Sequence, residues 1–225
     1  DLGLLLLAVD ALRRMGCERI RLFVPYLPAA RQDRVMVAGE PLSVKVYTDI
    51  LNSLRLEKIT IFDPHSEVAP ALLDRCEVTP NHIFIKKVVE TFEKAPILIS
   101  PDGGALKKIY KLAESLGGAK VVECGKTRDV KTGKLSGFKV HVENLAGRDC
   151  LIVDDICDGG GTFIGLATAL KEKGAGRLFL AVSHGIFSKG FGELERHFER
   201  VFATDSIREI EHNCAQQIFF KDGLI

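Results

Sequence analysis

The stretch that decides the fold of this chain runs Leu151-Ile152-Val153-Asp154-Asp155-Ile156-Cys157-Asp158-Gly159-Gly160-Gly161-Thr162. Leu151, Ile152 and Val153 form an unbroken apolar run, as expected of a strand buried on both faces of a parallel sheet. Two acids follow, then three glycines, then Thr162, where a helix over Thr162–Lys173 is expected to start. Strand, acids, glycine loop and helix in that order predict one unit of an α/β sheet. The polar groups of such a sheet gather beyond the carboxyl ends of its strands, where ligands bind.

Outward from this stretch the same alternation recurs. Valine- and isoleucine-rich runs predict strands over Arg19–Pro25, Lys58–Asp63, Pro96–Pro101, Ala119–Glu123, Phe138–Val142, Asp149–Asp154, Arg177–Ser183 and Arg200–Ala203. Helices are expected over Leu2–Met15, Pro41–Leu54, Phe84–Phe92, Ala105–Leu116 and Gly192–Phe198 besides the one already named. Pro41 suits a first helical position, and Gly117 and Gly174 suit left-handed helix ends. Pro80 and the turn-prone residues before it divide an N-terminal half, 1–80, from a C-terminal half, 81–225. Gly125–Gly137 carries four cations and three glycines with little apolar surface, and reads as a mobile basic loop between two strands.

Composition narrows the function classes. Lysine plus arginine, 31, nearly balances aspartate plus glutamate, 30, so no overall field marks a nucleic-acid or membrane binder, and any phosphate-binding charge must be local. The six cysteines are scattered without C-x-x-C or zinc spacing, as expected of reduced thiols in the cytoplasm. The run Leu4–Ala8 is too short to span a bilayer. The chain opens on Asp1 instead of methionine, and a native N-terminal segment is expected to be missing from it.

The chemistry of the glycine stretch follows from its donors. Backbone N–H groups of Asp158, Gly159, Gly160 and Gly161, with the helix start and the Thr162 hydroxyl, suit a phosphate monoester. A phosphate would repel Asp154 and Asp155, so these acids are better used as acceptors for vicinal sugar hydroxyls, with Mg²⁺ nearby. Phosphate plus diol indicates a ribose phosphate. Walker A is excluded because no lysine separates Gly161 from Thr162, and the dinucleotide fingerprint fails where Ile164 replaces its third glycine. The bland alternative is a tight glycine turn without a ligand. By composition alone Arg31-Gln32-Asp33-Arg34 is a solvated loop, and His65 a hydrogen-bonded scaffold histidine.

Several motifs in register give these residues a sharper reading. The segments Arg31-Gln32-Asp33-Arg34, Asp63-Pro64-His65, Ser100-Pro101-Asp102-Gly103-Gly104, Lys126-Thr127-Arg128 and Asp154–Thr162 resemble, in order, those of the ribose-phosphate pyrophosphokinases. The resemblance implies two phosphoribosyltransferase-like halves, each a mainly parallel sheet flanked by helices, the first binding ATP and the second ribose phosphate. It implies that the β,γ-diphosphate of Mg-ATP passes to the anomeric hydroxyl of ribose 5-phosphate. Arg31, Gln32, Asp33, Arg34 and His65 would contact ATP, and His65 and Asp102 would hold Mg²⁺. Asp102, Asp154, Asp155, Asp158, Gly159, Gly160, Gly161 and Thr162 would bind the ribose phosphate. Lys126 and Arg128 would be catalytic, neutralising charge on the transferring group. A homo-oligomer, dimer or hexamer, is implied as well.

The chain departs from the family at Gly159, where members usually carry threonine. Lost bulk beside the 5-phosphate suggests a larger acceptor such as ADP-ribose, with the same diphosphoryl transfer. The aromatic and acidic residues that members use to hold adenine near their N-terminus are absent from the sequence. A phosphoribosyltransferase that consumes PRPP, or a non-catalytic regulatory subunit, are the other readings.

Overall fold

The structure, a computed structural model, describes residues 2–128 and 135–224, with backbone alone at 126–128 and 135–136. The chain divides into two compact units, 1–80 and 81–225.

The first unit is a three-stranded parallel sheet, β1 (Arg21–Val24), β2 (Lys58–Phe62) and β3 (Cys76–Thr79), in that order. Helices α1 (Leu2–Arg14), α2 (Ser43–Ser53) and the short α3 (Val68–Leu72) connect or precede the strands. Its core is small: Val9 of α1, Val44 and Leu51 of α2, and Ile59 and Ile61 of β2 meet Leu27, Ala69 and Leu73. Helix α2 starts at Ser43, two residues later than expected from Pro41, because Leu42 has the non-helical dihedrals of the cap position. Strand β3 was not expected from the sequence. It is an edge strand, buried on neither face, so Cys76-Glu77-Val78-Thr79 needs no apolar run.

The second unit is a seven-stranded sheet in the order β10-β9-β8-β7-β4-β5-β6. Its strands are β4 (Ile97–Ser100), β5 (Val121–Arg128), β6 (Leu135–Val140), β7 (Cys150–Cys157), β8 (Leu178–Gly185), β9 (Arg200–Thr204) and β10 (Ala215–Ile218). All neighbours are parallel except β5 and β6, which form an antiparallel pair. Helices α4 (His82–Val89), α5 (Leu106–Ser115) and α6 (Gly161–Glu172) belong to this unit. Every residue of β4 and β8 is buried, which accounts for their unbroken apolar character. Gly174 follows α6 at φ +72°, and the Ala175 N–H bonds back to the Leu170 carbonyl, closing the helix end.

Three expectations fail in this unit. Gly125–Gly137 is not all loop: Gly125–Arg128 extend β5 and Leu135–Gly137 begin β6, since antiparallel pairing satisfies the backbone of a polar stretch as well as an apolar one. Residues 129–134 lie outside the described part, and with them the expected mobility of the loop. Gly192–Phe198 forms hydrogen-bonded turns instead of a helix; glycines at 190 and 192 open it without a side-chain cap. Strand β10 was missed because Ala215-Gln216-Gln217-Ile218 is a half-exposed edge.

Candidate ribose-phosphate site

The strand order of the second unit reverses between β4 and β7: the chain proceeds to β5 and β6 on one side, and to β8, β9 and β10 on the other. Loops leaving the carboxyl ends of two such strands diverge, and the crevice between them is where open α/β sheets bind ligands. The loop after β4 supplies Asp102, and β7 with its loop supplies Asp154 to Thr162.

The β7 loop is built around Gly160. It has φ +77° and stands at the cap of α6, a conformation that costs glycine little, while a Cβ there would lie 3.1 Å from Leu194 Cδ2. Because the cap residue has no side chain, the first N–H groups of α6 receive no side-chain acceptor and suit an external anion. Gly161 is exposed with open space beside it, and Thr162 occupies the first turn. The loop is held from behind by the turn after β8: Ile186 and Phe187 N–H donate to the Cys157 carbonyl at 2.9 and 3.1 Å, and Ser188 N–H donates to that of Asp158 at 3.2 Å. That turn lays Lys189 across Gly159, its Cδ and Cε each 3.4 Å from where a Cβ would stand. Nothing in the local sequence signals Lys189, which lies thirty residues along the chain.

Asp154 lies inside β7 as expected, and Asp155 lies inside it too, because the strand runs on to Cys157 instead of ending at Asp154. Burial pushes the Asp154 carboxyl up to about 8, aided by the negative charge of Asp155 and a hydrogen bond with that side chain; Asp102 adds to the effect. The Asp155 N–H opposes the shift by donating to Asp154 Oδ1 at 2.9 Å. Part of Asp154 still reaches solvent. The carboxyl pair can therefore accept from sugar hydroxyls or donate a proton to them, depending on its charge. Asp102 caps a short 3₁₀ turn over Gly103–Ala105, with Oδ1 accepting from the Gly104 N–H at 3.0 Å, and Ser100 Oγ donates to its carbonyl.

In the first unit, Asp33 is buried beyond the end of β1 and pairs with Arg34, Nε to Oδ1 at 2.8 Å. Its pKa is lowered, first by that hydrogen bond and then by Ser66, with a smaller effect from His65; burial acts the other way. Arg31-Gln32-Asp33-Arg34 and the His65 turn are thus brought together within one unit. Gln32 accepts from Ser43 Oγ at the start of α2, so its amide is structural as well as polar. Arg31, Arg34 and His65 are exposed, while Asp63 is buried with φ +36°. Ser66 was not singled out from the sequence, although it adjoins His65. Glu40 has a local structural part: its Oε2 accepts from the N–H groups of Met36 and Val37 at 2.9 and 3.1 Å, clasping the exposed loop beyond Arg34.

The backbone of Lys126 lies opposite Phe138 and that of Arg128 opposite Leu135 in the β5–β6 hairpin, with a bulge between Thr127 and Arg128; their side chains lie outside the described part. The hairpin rests on α6, where a Cβ at Gly165 would come 2.7 Å from a ring carbon of Phe138. Among the described residues no three His, Cys, Asp or Glu side chains gather at metal-binding distance. Mg²⁺ takes one or two carboxylates and completes its shell with phosphates and waters, and Asp102, whose charge acts on Asp154, is a carboxylate of that kind. No helix among the described residues is long and apolar enough to cross a membrane.

A glycine-opened helix at the switch point of a parallel sheet, preceded by paired acids on the strand, defines a protein of the phosphoribosyltransferase type. The phosphoribosyl transferase domain family matches residues 81–216, and the N-terminal domain of ribose phosphate pyrophosphokinase matches residues 1–54. The chain is 34% identical over 211 residues to a ribose-phosphate pyrophosphokinase of Vibrio cholerae, covering 90% of this chain and 66% of that one. It is 32% identical to that of Corynebacterium efficiens over 81% of this chain and 57% of the relative. The chain thus spans about two thirds or less of the length of these relatives. The crystal structure of phosphoribosylpyrophosphate synthetase from Mycobacterium smegmatis superposes with a TM-score of 0.84 at 26% identity, over 97% of this chain and 73% of that one. The chain belongs to the ribose-phosphate pyrophosphokinase family.

Proposed function

We propose that this chain transfers the β,γ-diphosphate of Mg-ATP to the anomeric hydroxyl of ribose 5-phosphate, giving PRPP and AMP, a step of nucleotide biosynthesis. The observation that carries the reading is the Asp158–Thr162 loop, opened by left-handed Gly160 behind the Asp154–Asp155 pair, in a chain of this family. The 5-phosphate lies against the first N–H groups of α6 and the Thr162 hydroxyl. Asp154, Asp155 and Asp102 accept from the ribose hydroxyls and orient C1. Arg31 and Arg34 contact the ATP phosphates; buried Asp33 keeps Arg34 in place. His65 in the first unit and Asp102 in the second are the candidate Mg²⁺ ligands, and Mg²⁺ when bound would neutralise charge on the phosphate oxygens.

Transfer forms a bond from the sugar oxygen to the β-phosphorus, breaks the phosphorus–oxygen bond to AMP and releases the hydroxyl proton to water, so charge grows on the leaving oxygen and on the oxygens of the moving group. Lys126 meets that charge as a point cation, and Arg128 as a planar fork able to grip two oxygens. The first unit serves the nucleotide and the second the acceptor; the enzyme acts in the cytoplasm as a homo-oligomer, dimer or hexamer. AMP release from Mg-ATP, measured with and without ribose 5-phosphate, tests the reading: no acceptor-dependent AMP refutes it.

One observation favours a second acceptor. A Cβ at 159 would stand 3.4 Å from the Lys189 stem, and glycine lets that flexible stem, instead of a fixed side chain, border the loop, as a phosphate carrying a further substituent would need. ADP-ribose offered beside ribose 5-phosphate decides between the two, and absence of turnover removes the larger one.

A further inference from the structure

We propose that Lys189 is an anion-contacting residue of the ribose-phosphate loop, supplying from the turn after β8 the side-chain contact that position 159 lacks. This rests on the assignment of that loop to the acceptor's phosphate. Cγ, Cδ and Cε of Lys189 lie 3.8, 3.4 and 3.4 Å from the point a Gly159 Cβ would occupy, so the stem runs along the glycine. The ammonium is one further bond away, about 1.5 Å, and so stands roughly 5 Å or less from that point.

The placement is held by the backbone. The turn is tied to the Cys157 and Asp158 carbonyls by three hydrogen bonds, and closed by the Gly190 N–H on the Phe187 carbonyl at 2.9 Å. Phe187, at φ +47°, is buried under Gly185, whose own Cβ would meet its ring at 2.2 Å. Lys189 therefore needs no closing motion to reach the loop. Its charge is also uncommitted, since among the described residues it forms no ion pair or hydrogen bond through its side chain. A surface lysine serving solubility gains nothing from lying along a phosphate loop. Here it adds a cation to a cradle otherwise made of neutral N–H groups, a few residues from Asp154, Asp155 and Asp158.

A larger residue at 159 would occupy the strip the stem now covers. Glycine at 159 and lysine at 189 therefore form one arrangement, in which the lysine stem takes the space beside the loop and carries its ammonium along it. The recognised chemistry is a phosphate ester of a sugar.

Lys189→Met keeps most of the stem and removes the charge. Loss of a charged hydrogen bond to a phosphate weakens binding by about tenfold or more. The acceptor KM should rise by about that factor while KM for ATP holds, and Lys189→Arg should recover most of the loss; a purely structural lysine would be replaced by Met without this split. Calorimetric titration with ribose 5-phosphate provides a second readout that needs no turnover. Weaker binding to Lys189→Met than to the wild type supports the proposal even if diphosphoryl transfer is never observed. Equal binding to both, or none to the wild type, overturns it.

Discussion

Replacing Gly160 by alanine tests whether the loop is shaped as described. At φ +77° an L-residue is left-handed, which costs about 1–2 kcal/mol. The added Cβ would also stand 3.1 Å from Cδ2 and 3.5 Å from Cγ of Leu194, itself only 3% exposed. Leu194 cannot swing into solvent and must tilt away from its preferred rotamer, at roughly 0.5–1.5 kcal/mol. The two effects sum to about 1.5–3.5 kcal/mol. In a domain of this size each kcal/mol shifts Tm by about 2–4 °C, so Gly160→Ala should melt roughly 3–14 °C below the wild type. Gly161→Ala is the internal control, because its Cβ meets nothing within 4 Å and its φ is not positive. It should match the wild type or gain slightly, even if it weakens phosphate binding. Thermal unfolding followed by far-ultraviolet circular dichroism reads both. Equal melting of Gly160→Ala and wild type, or an equal fall in both variants, would show that the left-handed cap and the Leu194 contact are misplaced.

Other expectations follow from the same geometry. Lys126→Ala should lower kcat on the order of 10²-fold or more with little change in KM, as for other preorganised charge stabilisers; undiminished turnover in a steady-state assay would rule the role out. Gly165→Ala should push the Phe138 ring off α6 and shift the hairpin that carries Lys126 and Arg128, lowering kcat more than stability; Phe138→Leu in the same background, which frees space, should restore part of the rate. Because the folded pKa of Asp154 is raised from 3.8 to about 8, the unfolded chain binds fewer protons between those values, and this group's contribution to stability falls as pH rises through the window. Denaturant titrations from acid to mildly alkaline pH should show that slope in the wild type and lose it in Asp154→Asn.

The β7 stretch shows how much could be read locally. Leu151-Ile152-Val153 are apolar because both faces of that strand are covered, and the glycines after them are conspicuous in any register, so strand, loop and helix were legible from a dozen residues. The Arg31–Arg34 and His65 segments stood out only through their resemblance to family motifs, since composition alone reads them as a solvated loop and a scaffold histidine. Edge strands β3 and β10 were not legible, because a strand paired on one side and half exposed carries no apolar signature. Nor could polarity show that Gly125–Arg128 would join a strand, since a hairpin is satisfied through the backbone whatever its side chains.

Sequence by itself determined the order of most elements and the chemical kinds on offer: a glycine-opened helix, paired acids, a basic stretch, an arginine-rich segment and a histidine turn. Those are properties of neighbouring residues and of local dihedral preference. Only the tertiary structure decided which distant groups share a site. The reversal of strand order sets Asp102 beside Asp154, Arg34 and Ser66 close on Asp33, and a turn thirty residues away lays Lys189 over Gly159. Such pairings depend on how strands stack in a sheet, a cooperative outcome of burial across the whole unit that no local stretch encodes.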